Sequence, residues 1–279
     1  MRATVERYAV PRHVFAERRA NQRVADGLAR ELDELGFSVE LRGRFRNVVA
    51  LPRGSGPLTL VAAHYDSVPG CPGADDNASG LAALLECAKD LARQPSAEHV
   101  GFVAFNAEED GLLGSRDFVE STVPELGLVI ENVHVLEMVG FRAQRQSLPL
   151  PFVPERFASG DYLGLLAKGA GNQVVDQVAR SSSVPDLRVV GAKTWGPLHR
   201  FLPDLARSDH FPFWQAGMGA VCWTDTGNFR NSNYHRPSDT PATLDYAFLR
   251  AVTELLCEVL RNGAVSDPSS AVRASPGTP

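Results

Sequence analysis

Residues 58–93 read LTLVAAHYDSVPGCPGADDNASGLAALLECAKDLAR. The first nine run from apolar to polar, as in a buried strand whose C-terminal end emerges at a surface. Leu81, Leu84, Leu85, Ala88 and Leu91 then fall on one helical face, behind a natural N-cap in Asp76 or Asn77. The unit is therefore strand, Gly/Pro-rich turn, helix.

The same pattern recurs outward from this stretch. Downstream, VGFVAFNAEE (100–109) and HVLEMVG (134–140) are strands ending in acids, and LLGSRDFVES (112–121) and QVVDQVARS (173–181) are helical. GAVCWTD (219–225) is strand-like, and 242–263 form a long closing amphipathic helix. Upstream, 13–35 read as a helix stopped at Gly36, with Val24, Leu28, Leu32 and Leu35 as its stripe. FSVEL (37–41) and NVVALP (47–52) are strands joined by RGRFR. Strands alternating with helices predict an α/β fold: a three-layer α/β/α sandwich around a mostly parallel mixed sheet. The expected organisation is one catalytic domain over 1–265, with irregular Pro/Gly-rich insertion loops over about 144–203 and a disordered tail at 266–279.

Composition narrows the function. Of the 279 residues, 44% are hydrophobic and 22% charged, an ordinary globular balance, and the net charge is -5. That charge argues against nucleic acid as a partner, which needs a concentrated basic surface. The early arginines (Arg2, Arg7, Arg12, Arg18, Arg19) read as a solvated helical face. No segment approaches the ~20 apolar residues that cross a bilayer, and the N-terminus lacks a signal-peptide core. This predicts a cytoplasmic protein without membrane contact, or a secreted one whose leader has been removed. Cys71, Cys87, Cys222 and Cys257 are too dispersed for a disulfide framework or a thiolate zinc site.

In open α/β sheets, ligands bind beyond the carboxyl ends of the strands. Three strand ends bring His64 and Asp66, Glu108 and Glu109, and Glu137 to that edge. Imidazole and carboxylate are zinc donors. HYD places His64 and Asp66 on one side of the strand, so Asp66 can fix the His64 ring from behind the ligand atoms. Taken alone, HYD also reads as a surface histidine beside a carboxylate, and AEED as a solvated turn. GADDNASG is sharper, because one cap needs one short polar residue and three stand in a row. Glu137 lies inside an apolar strand, where an unpaired carboxylate costs several kcal/mol.

Together HYDS, GADDNASG, AEEDGLLGS, LEMVG and YHRPSDT, in this order, resemble the zinc-dependent exopeptidase family of the bacterial leucyl-type aminopeptidases, glutamate carboxypeptidases and glutaminyl cyclases. The resemblance covers about residues 20–262. It implies two zinc ions, one on His64, Asp76 and Glu137 and one on Asp76, Glu109 and His235, with Asp76 bridging. It also implies Glu108 as general base, Tyr234 as donor to the oxyanion and a cis Asp76–Asn77 peptide. Many members carry aspartate where this chain has Glu137, which adds a methylene to that ligand. The expected activity is a metallo-aminopeptidase acting on peptides or aminoacyl amides. A carboxypeptidase, a small-amide hydrolase or a glutaminyl cyclase on the same site is the alternative. Asp209 is expected to support the site from behind, ahead of His210 as a ligand. His13, His99 and His134 have no ligand-like setting, and His199 sits in an irregular loop. Trp195, Phe201 and Phe211 read as specificity-pocket aromatics or plain core.

Overall fold

The computed structural model describes residues 1–54, 56–94, 98–148, 153–181 and 184–263; the tail expected at 266–279 lies outside them. In chain order, helices α1 (Arg2–Tyr8) and α2 (Arg18–Glu34) precede strands β1 (Ser38–Arg42), β2 (Asn47–Leu51) and β3 (Leu58–His64). A wide helical turn, Ala74–Ser79, leads into α3 (Gly80–Leu91) and then β4 (Val100–Phe105). Short helices α4 (Leu113–Asp117) and α5 (Val123–Leu126) precede β5 (Ile130–Glu137). The small hairpin β6 (Ala143–Arg145) and β7 (Ser159–Gly160) is followed by β8 (Tyr162–Lys168), α6 (Gly171–Ser181) and β9 (Arg188–Thr194). Helix α7 (His210–Gln215), β10 (Ala220–Thr224) and α8 (Tyr246–Gly263) complete the described chain.

Eight strands form one sheet in the order β1-β2-β4-β3-β5-β10-β8-β9. The four central strands β4, β3, β5 and β10 are parallel, and antiparallel pairings bring in β2 and β8 on either side. Side chains alternate across a strand, and the cores divide accordingly. Val61, Ala63, Phe102, Ala104, Leu136, Val221 and Trp223 join the core under α1, α2, α3, α6 and α8. Leu60, Ala62, Val103, Phe105, Val133 and Val135 join the other, under Phe118, Val123, Phe213 and Trp214. This is the expected three-layer α/β/α sandwich. Continuing the alternation puts His64 and Glu137 on the second face. His134 goes to the first, where its ring nitrogen accepts from Trp223 Nε1 at 3.2 Å.

Two expectations are corrected. Residues 144–203 are not simply insertion loops, because β8 and β9 complete one side of the main sheet with α6 between them. The first long helix begins at Arg18 rather than at 13, and a separate α1 precedes it. Its predicted stop holds, for a physical reason. Gly36 takes φ +95, its N–H donates to Asp33 and that of Phe37 to Leu32. This is the left-handed closure that caps a helix C-terminus. Among the described residues no helix is long and apolar enough to cross a membrane.

Candidate active site

The chain runs from β3 to β4 on one side and then crosses to β5 on the other. The opening this leaves at the carboxyl ends is where the polar residues gather. His64 is the last residue of β3 and Glu137 the last of β5. Glu108 and Glu109 lie three and four residues past the end of β4, and Asp76 sits in the turn before α3. His235 comes from the loop after β10.

Asp76 is the hub. Its Oδ1 lies 3.2 Å from His64 Nε2 and its Oδ2 lies 3.2 Å from His235 Nε2. Glu137 Oε2 is 3.6 Å from His64 Nε2, and Glu109 Oε2 is 3.0 Å from His235 Nε2. Two sets of three donors share Asp76, His64–Asp76–Glu137 and Asp76–Glu109–His235, and a third joins Glu108 to His64 and Glu109, each with its atoms within 4.8 Å of one another. Glu108 stands beside them, its carboxyl within 4.8 Å of donor atoms on His64 and Glu109.

The backbone around these groups is held by a second ring of polar residues. Asp66 accepts from the Glu108 and Glu109 amides, both at 3.2 Å, and lies 3.5 Å from His64 Nδ1. Asp239, within YHRPSDT, accepts from the Asp75 and Asp76 amides. Asn77 donates to Leu136 O and accepts from the Met138 amide, which joins the Asp76 turn to the end of β5. Asp75 accepts from the Gly140 amide at 3.0 Å and from Asn231 at 2.7 Å. The Asp76–Asn77 peptide is cis, as the resemblance implied. Gly73, at φ +59, packs so closely that a Cβ there would meet Asp76 O at 2.1 Å. Ala107, Met138 and His235 also have positive φ, at 56, 51 and 57. These left-handed residues flank or carry the donors, and the surrounding hydrogen bonds hold them there.

The reading of Arg12 as part of a solvated face is overturned. Arg12 is fully buried and donates to the carbonyls of Tyr65, Val10, Pro72 and Gly73. It thus joins the end of β3 to the turn that carries Asp76. Its guanidinium, with five donors in a rigid fork, suits carbonyls that no strand partner satisfies. Arg12→Met should destabilise the protein by about 3 kcal/mol, through carbonyls left without their donor, and weaken retention of any metal held by the Asp76 turn. Urea unfolding with a chelator titration checks this. A change within about 0.5 kcal/mol and unaltered retention would contradict the clamp role.

Asp209 is buried beside Ser115, and burial raises its pKa to about 7. It lies close enough to feel the charges of His64, Asp66 and Glu137. Its neighbour Ser208 donates to Glu137 Oε2 at 2.6 Å. His210 points elsewhere, to Leu205 O, so it joins neither donor set. Tyr234 stacks on His235 with centroids 3.7 Å apart, and its hydroxyl lies 3.2 Å from Arg207 Nη2. Trp195 and Phe201 are 68% and 77% exposed, which excludes the plain-core reading for both. Phe211 is half-buried beside the His199 ring. His13 pairs with Asp110 at 3.1 Å.

Metal ions fit this donor set. His64 Nδ1, His64 Nε2 and Glu109 Oε1 are buried without hydrogen-bond partners. Burial opposes a charge on His64, yet the Glu108 and Glu137 charges drive its pKa well above the ordinary imidazole value. Burial pushes Glu109 up to about 7, with Asp76 adding to it, and raises Glu108 well above the carboxylate range. Such an excess of acids needs cations, and nitrogen with carboxylate oxygen suits zinc.

The sequence profile of peptidase family M28 matches residues 47–260, which contain every donor of both sets. The chain belongs to peptidase family M28. With 34% identity over 238 residues it is similar to the uncharacterised Escherichia coli K12 protein YfbL, a match covering 79% of this chain and 72% of YfbL. It is also 34% identical over 187 residues to the Bacillus subtilis aminopeptidase YwaD, covering 66% of this chain and 36% of YwaD. Among solved structures, BSAP, a zinc aminopeptidase from Bacillus subtilis, superposes with a TM-score of 0.57 at 26% identity, over 78% of this chain and 49% of BSAP. The chain therefore spans less than half the length of either aminopeptidase. As a member of the M28 family it is a zinc-dependent metallopeptidase.

The reading from sequence missed Arg12, Ser208, Arg207 and the supporting role of Asp239. A signal existed only for Asp239, inside the quoted YHRPSDT.

Proposed function

We propose that this M28 peptidase is an aminopeptidase that removes N-terminal residues from peptides, with two zinc ions on His64, Asp76, Glu109, Glu137 and His235. The observation carrying this reading is the shared carboxylate: Asp76 offers one oxygen to each of two donor sets, each with its own histidine. Zinc held there supplies Lewis-acid polarisation of a scissile carbonyl and acidification of the attacking water. Glu108, buried beside the donors, takes the water proton and delivers it to the departing amine. The Tyr234 hydroxyl, accepting from Arg207, keeps its own proton free to donate to the oxyanion. Asp66 keeps Glu108 and Glu109 in register with His64 through their amides.

Zinc content per chain, measured alongside a panel of aminoacyl anilides, N-blocked peptides and glutaminyl peptides, tests this reading. The expected result is two zinc ions and cleavage of anilides with a free amino group. Cleavage of blocked substrates alone removes the aminopeptidase assignment and leaves the metal site standing. One zinc, ammonia release from glutaminyl peptides and intact anilides would replace it with cyclase chemistry.

A further inference from the structure

Cys87 on α3 and Cys257 on α8 are separated by 170 positions, yet their sulfurs lie 3.1 Å apart. Both residues are buried where the two helices pack. Their surroundings are unequal. Cys87 is wholly enclosed, whereas Cys257 lines a cleft of about 590 Å³ with Met1, Arg2, Tyr246, Arg250 and Arg261. A disulfide needs sulfurs about 2.05 Å apart, so closure requires roughly 1 Å of movement.

We propose that Cys87 and Cys257 form a reversible modification site, which a small disulfide such as glutathione disulfide converts to an intramolecular bond stapling α3 to α8. Cys257, reached through the cleft, loses its proton to solvent and its thiolate attacks one sulfur of glutathione disulfide. That sulfur–sulfur bond breaks, one glutathione leaves as thiolate, and a mixed disulfide remains on Cys257. Cys87 then attacks Cys257 Sγ as its proton passes to the departing second glutathione, which leaves as the thiol, and the first glutathione thiolate is protonated by solvent. Two protein thiols are oxidised and one glutathione disulfide is reduced to two glutathiones. Glutathione in excess reverses both steps.

The bond would close a very long loop, the condition under which a cross-link constrains the unfolded chain most. It would also fasten the closing helix to α3, whose first turn continues directly from the turn bearing Asp76. Neither cysteine is a metal donor, so the staple stands or falls apart from the zinc reading.

The test equilibrates the zinc-loaded full chain in glutathione buffers of graded poise, traps free thiols by alkylation, and maps the peptides. The expected product is one bond per chain joining the Cys87 and Cys257 peptides, lost again in reducing buffer. The melting temperature should rise by roughly 5 °C or more on oxidation. Cys87→Ala and Cys257→Ala should show no rise, and a Cys71→Ala/Cys222→Ala double variant should keep it. Free Cys87 and Cys257 in the most oxidising buffer, a bond to Cys71 or Cys222 instead, or glutathione retained on Cys257 would each overturn the proposal. The wild-type peptide map decides by itself if the alanine variants do not fold.

Discussion

Glu108→Gln should retain the full zinc content and lose roughly three orders of magnitude or more in kcat. The substitution keeps the side chain's size and one oxygen, but the amide cannot take a proton from water at neutral pH. Neither donor set that shares Asp76 includes Glu108. The hydrogen bond its backbone N–H donates to Asp66 does not involve the side chain and survives the change. KM should therefore move little while kcat collapses, the pattern of an interaction made only in the transition state. Near-normal turnover in this variant would end the assignment of Glu108 as base. Loss of zinc along with activity would move Glu108 into the metal shell.

Asp76→Asn should empty the site rather than silence it. One side chain places an oxygen 3.2 Å from each of two histidine nitrogens. Asparagine offers one oxygen and one N–H₂, and an amide nitrogen is not a metal donor, so one of the two sets loses its Asp76 ligand atom. Both metal affinities should fall, by at least ~100-fold each, because both sets lose the same residue. Glu137→Gln touches only the His64 set and should leave the zinc on Glu109 and His235 in place. Metal analysis after dialysis against a weak chelator distinguishes the two variants. If Asp76→Asn kept one zinc and Glu137→Gln lost both, Asp76 would not be the shared ligand.

Much of this arrangement is legible in the amino-acid sequence. Parallel central strands announce themselves as apolar runs ending in polar residues, and those ends have to face one edge. What stayed hidden depended on contacts that spacing does not encode. Strands β8 and β9 were obscured by the Pro/Gly-rich sequence around them, although Tyr162, Leu163, Leu165 and Ala167 are buried. Arg12 was misread because a charge in a basic stretch is ordinarily solvated, and only the fold shows four carbonyls aimed at it. The Cys87–Cys257 approach joins two helices distant in sequence, beyond any short-range pattern. His134 emerges on the opposite face of the sheet from His64 and Glu137, as side-chain alternation along β5 dictates.

The donors enter in the order His64, Asp76, Glu109, Glu137 and His235, so the second set stays incomplete until the loop beyond β10 has been made. Asp239, which holds the Asp75 and Asp76 amides, arrives later still. A chain ended before residue 235 would hold the His64–Asp76–Glu137 set complete and the other without its histidine. The second donor set therefore depends on the stretch between β10 and α8, beyond the last strand of the sheet.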